Sequence, residues 1–456
     1  MPRRWPFHWT RLHLPHPLLL LVGGVAAAAL LTWLLPAGAF ERTTDAATSR
    51  ALVVPGTWAR TAAAPVSPFA ALLAIPRGMA AGADVLLTIL FVGAAFTLLD
   101  TSGALGRLVN TVVHRAQSPR LVVVGMTLAF ATLGALDNSQ EEIVALIPAL
   151  LLLSRGLGSG PLTALAMSVG AASVGSAFGP TNPYQTGIAL KFAELPPLSS
   201  PVLRVGVFVA ALAVWCAFVV VGMHRERRAM PVDMVRESAN AREVGDTASR
   251  RDGLLLFLAL APFVPYVIGV LRWEWGFHEL SALFLAAGYA IGLASGRSLA
   301  ETTEGLIDGM KAMLPATLYV GVARGIGLVL EDGRVLDTII HGLSLPVLDA
   351  PAALAPLLMI PAQALLHVAV PSVSGQATLT MPIMAPITDL VGAGRDAAVL
   401  AYQTGAGLSD TVVPTNGAVM AMLAVAGVPF SRWIRFAGPG LLLVALVGAG
   451  AVLLAA

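Results

Sequence analysis

The sequence predicts an all-α polytopic membrane protein built from two inverted repeats, each with a re-entrant hairpin and a transmembrane helix broken by Pro and Asn. Three observations predict it. Of the 456 residues, 57% are hydrophobic and only 12% are charged, whereas soluble globular chains carry roughly 25% charged residues. Apolar runs of membrane-crossing length recur along the whole chain. The polar breaks within those runs repeat at a fixed distance. No polar stretch is long enough for a soluble domain, and the net charge of +2 is too small to suggest nucleic acid as a partner. The single cysteine, Cys216, excludes an intramolecular disulfide and a cysteine metal cluster. Lys191 and Lys311 are the only lysines, and neither sits in a GxxxxGK phosphate loop.

The first span is Leu18–Leu35, preceded by Arg3, Arg4 and Arg11. Ala37-Gly38-Ala39 resembles a cleavage site, but the run exceeds the roughly 7–15 residues of a signal-peptide core. Further spans are expected at Ala83–Leu99, Leu162–Leu190, Val202–Met223, Leu254–Leu271, Leu280–Gly296, Met313–Leu330, Ala397–Val425 and Phe436–Ala456. Pro68–Ala80, Leu105–Arg115 and Glu301–Ala312 are too short or too charged to cross, and read as interfacial amphipathic helices. Two longer apolar stretches, about 121–153 and about 352–390, have polar, small-residue breaks near their middles. The breaks are Asp137-Asn138-Ser139-Gln140-Glu141-Glu142 and Ser372-Val373-Ser374-Gly375-Gln376. Both stretches read as re-entrant hairpins, because irregular backbone at membrane depth must be buried in protein or line a cavity.

Basic residues orient the chain. Arg3, Arg4 and Arg11 put the N-terminus in the cytoplasm, and alternation then puts Arg107, Arg115, Arg120 and Arg155 there too. The Arg-rich stretch 224–252 follows as a cytoplasmic linker between an N-terminal half, 1–223, and a C-terminal half, 253–456. The C-terminus falls outside. The first hairpin faces the cytoplasm and the second faces outward. A bacterial-type inner membrane and a homodimer are expected.

Pro180-Thr181-Asn182 returns as Pro414-Thr415-Asn416, 234 residues on. The same offset joins Pro148 to Pro382, Gly158 to Gly392 and Gly160 to Gly394, and lays Glu142 on Gln376. Because Ala83–Leu99 and its counterpart Met313–Leu330 run in opposite directions in this layout, the repeats are inverted. Inverted repeats with matching interrupted helices mark secondary transporters, with substrate and ion sites near the midplane.

The chemistry is expected where the hairpin tips meet the broken spans. Proline removes a donor and frees carbonyls, which can hold a cation, while a half-helix N-terminus can face an anionic group. The candidate substrate- and ion-binding residues are Asn138, Ser139, Glu141, Glu142, Thr181, Asn182, Ser372, Ser374, Gln376, Asp410, Thr415 and Asn416. Asp137 adds a further carboxylate, and Arg324 is the candidate counter-charge, able also to form a structural pair with Glu141 or Glu142. His367, among leucine and valine, reads as a hydrogen-bonded packing residue or a proton carrier. No resident cofactor is expected. The coupling ion is a sodium ion at the hairpin tips and helix breaks, or a proton.

These motifs resemble the YfcC family of the C4-dicarboxylate anaerobic carrier group, within the ion transporter superfamily. The resemblance rests on Leu31-Thr32-Trp33-Leu34-Leu35-Pro36-Ala37-Gly38, Glu141-Glu142, Thr181-Asn182-Pro183, and above all the stretch from Pro371-Ser372-Val373-Ser374-Gly375-Gln376 to Met381-Pro382-Ile383-Met384-Ala385-Pro386. It covers nearly the whole chain. More distantly, the tips and breaks resemble those of sodium–dicarboxylate symporters, which implies an elevator mechanism, although the tips here lack the Ser-Asn-Thr of that group. Members of the group are described as carrying C4-dicarboxylates or, for YfcC-like members, basic amino acids. The expected activity is therefore secondary transport of a small carboxylated metabolite. An amino acid carrier or antiporter stands ahead of a C4-dicarboxylate carrier, because the expected site is rich in carboxylates. A channel would also need polar breaks. An intramembrane enzyme would need a nucleophile–base or metal set, and the chain has neither HExxH nor GxSxG.

Overall fold

The computed structural model describes residues 17–44, 51–54, 56–115, 118–137, 140–229, 248–273, 275–351 and 354–456. Arg3, Arg4, Arg11, Asn138, Ser139 and most of the expected linker, 230–247, lie outside the described residues. Seven helices among the described residues are long and apolar enough to cross a membrane. Helices dominate because a bilayer core offers no partner for exposed backbone groups, so each segment must satisfy its own.

Helix α1 (Pro17–Leu34) occupies the stretch expected as the first span and, over Leu18–Leu34, is a shorter apolar helix than the seven above. Short strands β1 (Gly38–Ala39), β2 (Arg42–Thr44), β3 (Ala51–Val53) and β4 (Ala59–Arg60) follow, pairing β1 with β4 and β2 with β3. Then come α2 (Pro68–Ala81), α3 (Ala83–Thr101) and α4 (Ala104–Arg115). The stretch expected as the first hairpin forms α5 (Pro119–Asp137) and α6 (Glu141–Gly156). The first broken span comprises α7 (Pro161–Leu165), a π-helical turn at Ala166–Gly170, α8 (Ala171–Phe178), a non-helical break, a second π turn at Pro183–Gly187 and α9 (Ile188–Phe192). Helix α10 (Pro201–Ala229) continues six residues into the expected linker.

The C-terminal half begins with α11 (Arg250–Leu260) and α12 (Phe263–Trp273), so the span expected at Leu254–Leu271 is interrupted before Pro262. Next are α13 (Phe277–Ala294) and α14 (Leu299–Asp332). The stretch Glu301–Ala312, expected as a separate interfacial helix, is instead the first third of α14, whose N-terminus is fixed by a Ser298/Glu301 capping box. After α15 (Leu336–Leu348) comes the second hairpin, α16 (Ala355–Ala369) and α17 (Val373–Leu390). The second broken span follows: α18 (Arg395–Tyr402), a π turn at Gln403–Gly407, a break and α19 (Gly417–Val425). Helix α20 (Phe430–Ala455) closes the fold.

Helices α3 and α14 form the packing centre of one part. They run antiparallel: Gly93 faces Met313, Ala94 faces Gly309, and Leu98 faces Gly305. A Cβ on Gly309 would lie 2.6 Å from Ala94 Cα, so glycine is what allows the two backbones to approach. Helix α6 packs on α3, and α19 packs on α14, where Gly417 meets the backbone of Tyr319 and Val320.

The 234-residue register recurs in local structure. Helices α6 and α17 end at Gly156 and Leu390, one register apart. Gly158 and Gly392 follow with φ of 74° and 76°, the left-handed region that glycine enters without a Cβ clash. Gly160 and Gly394 then cap the two broken spans, and each span carries a π turn inside its first half. Asn182 and Asn416 cap the helical segments beyond the breaks. Polar contacts fall into two groups, one towards each end of α14. Arg77–Asp332 and Arg42–Asp337 pair at one end, while Arg107–Asp252 and Arg297–Thr101 pair at the other.

Candidate functional site

Pro414 has no amide hydrogen, and the second broken span stops being helical just before it. Val412 N and Val413 N both turn back to Ser409 O, leaving Asp410–Asn416 as a compact turn rather than a helix. Asn416 closes the turn. Its Oδ1 accepts Val419 N–H at 3.0 Å, and its Nδ2 donates to Asp410 Oδ1 at 2.6 Å and Asp410 O at 3.0 Å. These bonds hold the Asp410 side chain inward, where it is buried.

The second hairpin supplies the partners of Asp410. Only Val370–Ser372 are non-helical at its tip, a narrower break than the sequence suggested. Ser372 caps α17 by accepting Gly375 N–H, so Val373–Gln376 already belong to the helix. Gln376 consequently points back at α16. Its Nε2 donates to Gln363 O at 2.8 Å and Gln363 Oε1 at 2.6 Å, and its Oε1 lies 2.8 Å from His367 Nδ1. His367 Nε2 lies 2.9 Å from Asp410 Oδ1. A continuous buried polar chain thus runs from the hairpin arms to the second break. His367 is its centre, and its partners Gln376 and Asp410 are 9 and 43 residues away.

The first break is built alike. Asn182 Oδ1 accepts the amides of Tyr184 and Gln185, and Nδ2 donates to Gly134 O in the first hairpin. Gln140, at the tip, donates to Ser173 in α8. The two breaks are also linked to each other. Gln403, in the π turn of the second span, donates to Ala177 O and Thr186 Oγ1 beside the first break, and accepts from buried Arg204. Arg204 pairs with Asp396 at 2.6 Å. The burial of Arg204 has no sequence signal, because its partners lie nearly 200 residues away.

One cavity of about 720 Å³ gathers much of the predicted site. Glu142 from the first hairpin, Ser372 and Ser374 from the second, Asp410, Thr415 and Asn416 from the second break, and Arg324 from α14 all line it. Glu142 and Asp410 are buried carboxylates on its wall. Thr415 Oγ1 has no hydrogen-bond partner among the described residues. Arg324 donates Nη1 to Ala81 O at 3.0 Å and is among the residues that line the cavity. Tyr184, Tyr266 and Trp275 give the same space aromatic walls. Gln376 lies behind this wall. Thr181 and Asn182 line a different cavity, of about 580 Å³, with Lys191. The register therefore matches in local structure, but the two breaks do not share one space. The side chains of Asp137 and Glu141 fall outside the described ones.

Over residues 14–456 the chain matches the family described as the C4-dicarboxylate anaerobic carrier. YfcC of Escherichia coli (strain K12), named for a proposed basic amino acid antiport, is 29% identical over 369 residues, covering 77% of this chain and 73% of YfcC. An uncharacterized protein of Haemophilus influenzae is 28% identical over 387 residues, covering 82% of this chain and 75% of its own. Among solved structures, the YdaH transporter of Alcanivorax borkumensis aligns with a TM-score of 0.41 and 16% identity, over 96% of this chain and 98% of its own. MtrF of Neisseria gonorrhoeae, described within a class of antimetabolite efflux pumps, aligns with a TM-score of 0.46 and 14% identity, over 97% of this chain and 95% of its own. With the family match running from residue 14 to residue 456, through both breaks and the residues that line the larger cavity, the chain belongs to the C4-dicarboxylate anaerobic carrier family of membrane transporters.

Proposed function

We propose that this protein is a secondary active carrier of a small carboxylated metabolite, an amino acid in first place, moved in exchange or together with a cation. The observation that carries the reading is the cavity in which Glu142, Asp410 and Arg324 face one space from three separate elements. Charge at membrane depth costs several kcal/mol and is retained where it serves a ligand. Two carboxylates and one guanidinium suit a substrate bearing both an ammonium group and a carboxylate. The name of YfcC favours the same class. A C4-dicarboxylate is the second reading, favoured by the family description. It would bring more negative charge to this wall and needs compensating cations.

Alternating access between inverted repeats is supported by the antiparallel run of α3 and α14 and by the shared register of caps, π turns and breaks. In the proposed layout the N-terminus is cytoplasmic, the C-terminus is outside, and the membrane is a bacterial-type inner membrane. The cavity then opens outward, since Gly276 and Glu331 among its lining residues stand at the outer ends of α13 and α14. Purified protein in lipid vesicles, tested for counterflow of labelled arginine, ornithine and succinate, checks the reading. Saturable counterflow of arginine or ornithine supports it, and counterflow of succinate alone supports the dicarboxylate reading. Single-channel currents without counterflow would overturn both.

A further inference from the structure

The hydrogen-bond inventory around His367 counts the protons in the buried chain. The Gln376 amide has one orientation, because its Nε2 must face the main-chain carbonyl of Gln363, which can only accept. Its Oε1 therefore faces His367 Nδ1, and Nδ1 carries a hydrogen. On the other side of the ring, Nε2 faces Asp410 Oδ1 at 2.9 Å. A bare ring nitrogen against a bare carboxylate oxygen would oppose two lone pairs in a buried site, so one proton lies between them. Either a neutral imidazole accepts it from the carboxyl group, or an imidazolium donates it to the carboxylate. Both arrangements contain the same proton and leave the pair with no net charge.

We infer that His367 and Asp410 hold one shared proton and that this proton is the carrier's coupling ion, loaded and released through Asp410. The inference rests on the carrier reading above. His367 is completely buried, whereas Asp410 lines the cavity, so the proton leaves to cavity water from the Asp410 side. Release leaves one negative charge and two facing lone pairs, which only a cation at Asp410 or a displacement of the hairpin from the break can relieve. Protonation and the packing of hairpin against break are thereby coupled.

The oxygens inside this chain are already engaged, which leaves a sodium ion only cavity-side groups such as Thr415 Oγ1. Gln376 Oε1 is engaged by His367, Asp410 Oδ1 by His367 and Asn416, Asn416 Oδ1 by Val419 N–H, and Ser372 Oγ by Gly375 N–H. Neighbouring charges do not replace the proton. Across the cavity stand Glu142 of α6, and Arg324 and Glu331 of α14. From α18, Tyr402 directs its hydroxyl to Val373 O. Helix α19 and the Gln403–Gly407 turn have no titratable side chain. In α15, Asp337 pairs with Arg42 and His341 stacks on Trp58. Asp389 of α17 pairs with Arg395 of α18, and Asp396 of α18 with Arg204. Arg432 and Arg435 of α20 are exposed.

The test uses the full chain. In lipid nanodiscs at neutral pH, infrared spectra should show a protonated carboxyl band that Asp410→Asn removes, or ¹⁵N-histidine spectra should show an imidazolium that His367→Gln removes. Finding neither overturns the shared proton. In vesicles, accumulation of labelled arginine, ornithine or succinate under a pH gradient is divided by counterflow at equal pH. His367→Gln should lower this ratio about tenfold, the scale of a typical coupling free energy. An unchanged ratio with counterflow present overturns the coupling role and leaves the carrier reading standing. Absence of counterflow for all three probes in the unmodified protein removes the substrate reading and the coupling role together, and the spectra alone then decide the shared proton.

Discussion

Asn416 Nδ2 bonds both the side-chain and the main-chain oxygen of Asp410, at 2.6 and 3.0 Å, while its Oδ1 caps α19. One amide thus fixes the direction of a carboxylate and starts the helix that follows. Asn416→Ala removes the cap and a charge-assisted bond together, and should cost about 2 kcal/mol of stability. Asn416→Asp keeps the cap but sets a second carboxylate against Asp410, and should destabilise at least as much. Thermal unfolding in detergent checks both. Two midpoints equal to that of the unmodified protein would show that the Asp410 turn needs no amide.

Gly417, next in sequence, lies where α19 meets α14. A Cβ there would overlap Val320 Cα and come 2.9 Å from Tyr319 O. These are backbone atoms of a long helix and cannot turn aside. Gly417→Ala should therefore destabilise by about 1–3 kcal/mol. Gly206, in α10, has nothing within 4 Å of the same added atom, so Gly206→Ala should be neutral or stabilising by up to about 1 kcal/mol, from helix propensity alone. Equal behaviour of the two variants in a thermal-shift assay would contradict the close approach of α14 and α19.

Asp252 stands just before the interrupted span, buried under Arg107 at 2.7 Å. Hydrogen bonds from the Arg107 guanidinium, helped by Ser249, hold its carboxyl well below the usual carboxylate range despite burial. A carboxyl depressed in the folded state stabilises fully above its unfolded pKa, and this contribution fades as pH falls below about 4 toward the folded value. Arg107→Gln should cost about 2 kcal/mol at pH 7. The gap between variant and unmodified protein should narrow in acid. A gap that widens from pH 7 to pH 4 in thermal unfolding would contradict the assigned sign.

Much of this architecture is legible in the sequence because its signals are local. Apolar runs mark the long helices, and Pro-Thr-Asn with the flanking glycines marks the breaks and their register. The polar tips mark the hairpins, although Ser372 caps its helix so early that Gln376 is inside it. What depends on distant partners is not legible. His367 reads as one polar residue among leucines until Asp410 is brought to it. Arg204 reads as a surface charge until Asp396 and Gln403 bury it. The interruption of α11 and α12 had a local signal in Pro262 and Pro265, outweighed by the hydropathy of the run. That Asn182 and Asn416 line separate cavities depends on how the halves pack, which a register does not encode.

A substrate role for the cavity charges and a structural one have different consequences. Arg324 is held against Ala81 O, and a Cβ at Gly82 would come within 2.9 Å of its side chain, so its reach into the cavity is set by α2. If it receives the substrate carboxylate, the unmodified protein should prefer arginine to agmatine, which is arginine without that group. One lost charge-assisted hydrogen bond corresponds to about tenfold or more in affinity. Arg324→Gln should erase this preference by weakening arginine and leaving agmatine nearly unchanged. Glu142→Gln should instead weaken both amines and spare succinate, because the group it would meet is the ammonium or guanidinium end. A purely structural Glu142–Arg324 pairing predicts something else. Either substitution would then lower expression and thermal stability, and the ratio of arginine to agmatine competition would stay constant. Competition against labelled ornithine in vesicles, read beside the unfolding midpoint of each variant, distinguishes the two. A constant ratio in Arg324→Gln at unchanged stability would remove Arg324 from the carboxylate site and leave the preference to Thr415 and the helix ends around it.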